Sequence, residues 1–214
     1  MISTIIKTQV TELIQGPAGQ LEVIQEAATG EERRAIGIVC HPHPLFGGTM
    51  HNKVVTTLAK TFQFLGLNTV RFNFRGVGRS QGEFAHGQGE LDDLLAVIQW
   101  MQQEHPRREI WLAGFSFGAY IAAKAVTEIP VKRLVTIAPP VQHFPMHTLP
   151  PILCPWVLAQ GGQDDVVPAE EVLAWAEART PKPVILEFPE AGHFFHGQLG
   201  DLRSRLEAAL MQLG

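Results

Sequence analysis

The sequence predicts an α/β fold: a mostly parallel central sheet with helices on both faces. Three observations carry that expectation. Short uninterrupted apolar runs recur from Ala35 onward, and each reads as a strand buried on both faces. Between them lie stretches with apolar residues at three- and four-residue spacing, which mark amphipathic helices. The two kinds of segment alternate to the end of the chain, as a sheet layered on both sides by helices requires. With 214 residues and 45% hydrophobic composition, the chain has enough material for a large core and is short enough to be one domain over 1–214.

Taken in order, the first thirty residues show alternation instead of continuous runs. Val10-Thr11-Glu12-Leu13-Ile14, then the turn Gly16-Pro17-Ala18-Gly19, then Leu21-Glu22-Val23-Ile24 suggest a hairpin of half-exposed strands suited to a sheet edge. Core strands are expected over 36–40, 69–74, 110–113, 134–138, 156–159 and 184–188. Helices are expected over roughly 52–64, 89–103, 119–127, 169–178 and 200–213. No repeat or low-complexity stretch interrupts the pattern. The segment 139–155 contains six prolines and two histidines, and it is too short and Pro-rich to fold into a helical lid, so an open, shallow cleft is expected.

Bulk properties exclude several classes of partner. A net charge of -4 and basic residues scattered along the chain give no footprint for nucleic acid or an anionic membrane. Residues 1–8 lack a charged segment followed by a long apolar stretch, and no later run approaches about 18 apolar residues, so a soluble cytoplasmic protein is expected. Cys40 and Cys154 sit in separate apolar segments without Cys-x-x-Cys spacing and read as buried thiols. His41, His43 and His51 share one segment and His143 and His147 another, yet no cysteine pair or His-Glu-x-x-His helix accompanies them, and no metal is expected. Gly76-Val77-Gly78-Arg79-Ser80-Gln81-Gly82 is not Gly-x-Gly-x-x-Gly and reads as a tight turn anchored by Arg75, so no dinucleotide cofactor is expected.

The chemistry sits in Gly114-Phe115-Ser116-Phe117-Gly118, which ends an apolar run and opens an Ala-rich helical stretch. A serine in a sharp strand-to-helix turn needs glycines two residues to either side, where side chains would clash. Such a nucleophile needs a base to take its proton and an acid to hold the base. Asp164 follows Ser116 by 48 residues in a Gly-rich turn after a strand, and His193 follows by a further 29 in the turn Pro189-Glu190-Ala191-Gly192-His193. Asp165 and His196 are rivals for the two roles. His193 is favoured by its place after Gly192 at a strand end. For the oxyanion, the amide of Phe117 opens the following helix and supplies one donor. A second is sought in 41–49, where Pro42 and Pro44 have no N–H, leaving His43 and Leu45 open.

These residues, together with His41-Pro42-His43-Pro44-Leu45-Phe46-Gly47-Gly48-Thr49-Met50, Arg71-Phe72-Asn73-Phe74-Arg75-Gly76-Val77-Gly78-Arg79-Ser80 and Gly192-His193-Phe194-Phe195-His196-Gly197, resemble the α/β-hydrolase superfamily. Within it the chain is similar, over nearly its whole length, to small lidless serine hydrolases of the bacterial carboxylesterase kind. The resemblance implies the α/β-hydrolase fold, the chain order Ser116, Asp164, His193, and no cofactor. It favours Asp164 over Asp165 through the match of Gly161-x-x-Asp164-x-Val166-Val167-Pro168. It also implies that 139–155 stands where many relatives carry a cap, so that this chain has no cap domain. The chain departs from the pattern at His51 and His86, where relatives carry acidic residues. The activity implied is cleavage of small or medium carboxylic esters through an acyl-enzyme, with thioesters, amides or short peptides open to the same triad. Phe115, Phe117, Phe144, Phe194 and Phe195 are candidates for an acyl pocket. A catalytically idle scaffold binding a small molecule or a partner protein is the reading from a different class. The edge hairpin leaves room for a homodimer.

Overall fold

The central apolar runs form strands whose successive side chains enter two different cores, because side chains alternate between the faces of a sheet. The run 184–188 instead becomes an edge strand with Val184 and Glu187 exposed, and not the doubly buried strand expected. In β3 (Ala35–Cys40), Ile36, Ile38 and Cys40 face one core and Ala35 and Val39 the other. In β5 (Glu109–Phe115), Ile110 and Leu112 oppose Trp111, Ala113 and Phe115. β6 (Arg133–Ile137) and β7 (Trp156–Gly161) divide in the same way. A strand with no solvent face has few polar positions, and its sequence is therefore nearly continuous in apolar residues. The computed structural model describes residues 9–213. Residues 1–8, on which the expectation of no export signal rested, lie outside the described residues.

With β1 (Gln9–Gly16), β2 (Gly19–Glu26), β4 (Asn68–Phe72) and β8 (Val184–Phe188), the described strands make one eight-stranded sheet in the order β1-β2-β4-β3-β5-β6-β7-β8. β1 and β2 form the antiparallel edge hairpin, β2 meets β4 antiparallel, and every pair from β4 to β8 is parallel. The helices α2 (Gln88–Glu104), α3 (Phe117–Ala125) and α4 (Ala169–Glu177) cover the first core, and α1 (Lys53–Phe64) and α5 (Leu199–Gln212) the second. Local chemistry sets the helix starts. Asn52 accepts the Val54 amide at 2.8 Å, and Glu90 accepts those of Ala85 and Gly87 at 2.8 and 2.7 Å.

Three strand ends differ by two residues from the sequence expectation, β7 running on to Gly161 because Gln160 and Gly161 still pair with Glu187 and Phe188 of β8. β4 stops at Phe72 because Ser80 Oγ interrupts the ladder with β2, accepting the Glu22 amide at 2.9 Å and donating to Asn73 O at 2.6 Å, and because the Phe74 amide turns to His41 Nε2. β5 runs on to Phe115 because Gly114 and Phe115 still pair with Thr136 and Ile137 of β6. The segment 139–155 carries only a 3-10 turn at Met146–Thr148. It is pinned by Met146 and Ile152 in the first core and by Arg179 Nη2, which donates to Leu149 O and Pro150 O.

Arg75 holds the turn that follows β4, as expected: its guanidinium grips the fully buried Asp93 carboxylate of α2 in a two-pronged ion pair, with Nη2 at 2.7 Å. The basic residues do not stay scattered. Arg33, Arg34, Arg107, Lys132 and Arg133 converge at the N-terminal ends of β3, β5 and β6, because parallel neighbours place the segments that precede them side by side. No helix among the described residues is long and apolar enough to cross a membrane.

Candidate active site

Ser116 occupies the single residue between β5 and α3, with φ 53° and ψ −121°, a left-handed conformation that a residue with a side chain rarely adopts. Such a conformation costs on the order of 1–3 kcal/mol and persists only where the surroundings hold it. Here the Ser116 amide is tied to Ile137 O at 2.9 Å, and its carbonyl accepts the amides of Ala119 and Tyr120. The flanking glycines are sterically required. A Cβ on Gly114 would lie 2.1 Å from Gly118 O, and one on Gly118 would lie 2.4 Å from Cys40 O. The turn therefore exists only where β3, β5 and α3 cross this closely.

Asp164 and His193 reach Ser116 from beyond the ends of β7 and β8, past the intervening β6. His193 Nε2 lies 3.2 Å from Ser116 Oγ, and its Nδ1 lies 2.8 Å from Asp164 Oδ2. A carboxylate can only accept, so Nδ1 carries the proton and Nε2 is left to accept from the serine hydroxyl. Asp164 Oδ1 accepts the amides of Val166 and Val167 at 2.9 and 2.7 Å. Burial opposes the charge on Asp164, but the His193 hydrogen bond and those two amides outweigh it and hold its pKa below the usual carboxylate value. The imidazole packs against the rings of Phe115 and Phe194, with centroids 4.9 and 5.1 Å away. Asp165 and His196 are both exposed and take no part in this relay.

A further residue, missed in the sequence, holds the Asp164 carboxylate. Gln160, buried in β7, donates from Nε2 to Asp164 Oδ2 at 3.2 Å and is within 3.1–3.2 Å of Gly161 O and Val167 O. All three acceptors surround one atom, which fixes the amide orientation. Its Oε1 is buried without a hydrogen-bond partner among the described residues. The only sequence signal was a polar residue closing an otherwise apolar strand.

Ser116 and His193 open into a cavity of about 750 Å³. The segment 139–155 forms one wall of this cleft, carrying Pro140, His143 and Phe144. The opposite wall is the segment after β3, with Pro42, His43, Phe46, Gly47 and Gly48. Of the aromatics considered for an acyl pocket, Phe117, Phe144 and Phe194 line the cavity, whereas Phe115 and Phe195 are fully buried in the second core. Asp165 also lines the cavity, as does Asn52. His51 and His86, the two departures from the family pattern, do not.

The two loop amides left open by the sequence are not equivalent. Leu45 N–H donates to His43 Nδ1 at 3.2 Å, and the Leu45 side chain is 67% exposed outside the cavity. The His43 amide makes no hydrogen bond among the described residues, while its carbonyl accepts the amides of Phe46 and Gly48 and curls the segment. The His43 ring is packed among Phe46, Phe84 and Phe117, and burial lowers its pKa. The Phe117 amide opens α3, where first-turn N–H groups have no partner within the helix.

His41 anchors this wall. It is fully buried, donates from Nδ1 to Pro42 O at 2.6 Å and accepts the Phe74 amide at Nε2 at 3.0 Å. Burial pushes its pKa down to about 4, which keeps the ring neutral. Both its nitrogens are thereby occupied, and among the described residues no group of three His, Cys, Asp or Glu is placed to hold a metal ion. Burial raises the pKa of both thiols, that of Cys154 to about 11.

The chain is similar to known proteins over most of its length. Residues 31–160 match a family model described as serine aminopeptidase, S33. The Rickettsia prowazekii protein RP471 is 40% identical over 162 residues, covering 73% of this chain and 68% of that protein. An α/β serine hydrolase homologue from Coxiella burnetii superposes with a TM-score of 0.93 at 50% identity, over 96% of this chain and 99% of the other. XC6422 from Xanthomonas campestris, an α/β serine hydrolase without lid, gives a TM-score of 0.92 at 39% identity, over 95% and 94% of the two chains.

Proposed function

The chain belongs to the α/β-hydrolase superfamily, within the serine hydrolase family described as serine aminopeptidase, S33, and from that premise we propose that it cleaves small or medium carboxylic esters through an acyl-enzyme on Ser116. The observation that carries this reading is the relay Ser116 Oγ, His193, Asp164, with links of 3.2 and 2.8 Å, opening into a cavity of about 750 Å³. A volume in that range suits a small organic molecule. Phe117, Phe144, Phe194, Val166 and Val167 offer the acyl group apolar surface.

Ser116 Oγ attacks the ester carbonyl as His193 Nε2 takes its proton, and Asp164 stabilises the imidazolium that forms. The carbonyl oxygen becomes an oxyanion and accepts the amides of Phe117 and His43, each such donor being worth about 3 kcal/mol in the transition state. The C–O bond to the alcohol breaks, and His193 returns the proton to that oxygen. Water then attacks the acyl-enzyme, His193 takes its proton, and collapse releases the acid and restores Ser116. The scheme needs no cofactor.

The test is p-nitrophenol release from acetate, butyrate, octanoate and palmitate esters by wild type and Ser116→Ala. Turnover should fall with chain length and disappear in the variant. Turnover that survives Ser116→Ala would remove the serine from the mechanism.

A second reading is favoured by one observation. Asp165 places an exposed carboxylate, free of ion pairs among the described residues, on the cavity lining, where it can face the ammonium of a peptide N-terminus. Aminoacyl p-nitroanilides, with Asp165→Asn as the control, separate amide from ester specificity. If neither substrate turns over and a phosphonate fails to label Ser116, the idle binding scaffold takes their place.

A further inference from the structure

The end of the sheet opposite Ser116 gathers positive charge. Three parallel neighbours, β3, β5 and β6, begin there, and each is preceded by basic residues: Arg33 and Arg34, Arg107 and Arg108, and Lys132. Neighbouring strands lie about 4.8 Å apart, so these segments fall within roughly 10 Å of one another. They surround a hollow of about 400 Å³ whose lining includes Arg33, Arg34, Arg107, Lys132 and Arg133 against the single carboxylate of Glu109. That carboxylate is already paired with Lys132, at 3.3 Å.

No ion pair among the described residues engages Arg33, Arg34 or Arg107, whereas Arg108 is turned away onto Glu32. This is a local excess of cations in a chain whose net charge is -4. The repulsion is visible in Arg133, whose pKa is lowered first by burial and then by the charge of Arg33. Arg107 is held at φ 78°, a left-handed conformation that favours glycine or asparagine over arginine. Trp111 also lines the hollow, and its buried indole N–H has no hydrogen-bond partner among the described residues. Buried N–H groups are rarely left in that state.

We propose that this hollow binds a small multivalent anion of phosphate chemistry, a phosphate or pyrophosphate group, at a site separate from the hydrolytic one. Guanidinium forks match phosphate oxygens geometrically, and a doubly or more highly charged anion neutralises several of them at once, where a lone carboxylate would leave most of the charge in place. The site stands about 20 Å from Ser116, the length of β5, so a ligand there is not a substrate of the relay. The bound anion would tie together the starts of three central strands. The inference does not depend on which bond the hydrolase cleaves.

The probe is inorganic pyrophosphate, titrated calorimetrically into the whole protein at constant ionic strength, with chloride as the reference. Wild type should show saturable one-site binding that weakens with salt. Arg34→Gln with Arg107→Gln should weaken it at least about tenfold, as the loss of charge-assisted hydrogen bonds predicts. Arg203→Gln, on α5 and paired with Glu207, should leave binding unchanged. Far-UV melting curves matching wild type establish that the double variant is folded, and if it is not, Arg34→Lys, which keeps the charge and loses the fork, replaces it. Absence of saturable binding, equal binding by the Arg34 and Arg107 variants, or binding confined to RNA or anionic vesicles would overturn the proposal.

Discussion

Replacing Asp164 with Asn tests the relay most sharply, because the surroundings of the carboxylate leave the amide no good orientation. Oδ1 now accepts two backbone amides, those of Val166 and Val167, and Oδ2 accepts from His193 Nδ1 and Gln160 Nε2. If the new amide keeps its oxygen on the two backbone donors, its NH₂ faces His193. The imidazole must then offer a lone pair at Nδ1 and carry its proton on Nε2, the atom that has to accept from Ser116. If the amide turns round, its NH₂ meets two backbone N–H groups, and the oxyanion of the acid is still gone. The first arrangement costs fewer hydrogen bonds and should prevail, with the histidine in the wrong tautomer. A loss of about ten-thousand-fold in kcat is expected, equivalent to about 5.4 kcal/mol of transition-state stabilisation. The assay is steady-state hydrolysis of p-nitrophenyl butyrate, with Asp165→Asn in parallel. Asp164→Asn retaining a tenth of wild-type kcat, or Asp165→Asn losing as much as Asp164→Asn, would refute the assignment of the acid.

Gln160→Met keeps the volume but removes the donor to Asp164 Oδ2, and kcat should fall about tenfold with KM unchanged, as for a residue that acts through the acid; a change in KM alone would place it in substrate binding. Arg75→Met strands the fully buried Asp93 carboxylate and should lower unfolding stability by about 3–5 kcal/mol, read from urea midpoints; a loss below about 1 kcal/mol would show that the ion pair does not hold the turn after β4. His41 protonates near pH 6.5 when unfolded but only near 4 when folded, so stability should be flat above about pH 6.5 and decline by on the order of 3 kcal/mol as pH falls to 4. Its ring resonances should show no titration above about pH 5, and a midpoint near 6.5 in the folded protein would contradict the buried neutral ring.

Much of the site was legible because short-range chemistry dictates it. Gly114 and Gly118 are spaced by the clash that any Cβ would cause at the crossing of β5 and α3, so the five-residue pattern carries its own geometry. Asp164 and His193 were placed because each follows an apolar run, and parallel strands bring their C-terminal ends to one edge of the sheet. Gln160 escaped notice because its role depends on three acceptors supplied by the fold of the following turn. The choice between His43 and Leu45 was closed to sequence because both are non-proline residues in one segment. Only the curl of that segment commits the Leu45 amide to the His43 ring.

The sequence by itself determined the strand and helix alternation, the two-faced burial of the central strands and the chain order of serine, acid and histidine. Each follows from residue type and local spacing. The tertiary structure decided what depends on distance in space between residues far apart in the chain. It turned 139–155 from an absent lid into a cavity wall and sorted five phenylalanines between lining and core. It also gathered arginines scattered over a hundred positions into one basic hollow. Side-chain alternation and turn sterics are written along the chain, whereas the lateral order of strands, β4-β3-β5-β6, is set by how the helices pack and by the right-handed crossovers that join them.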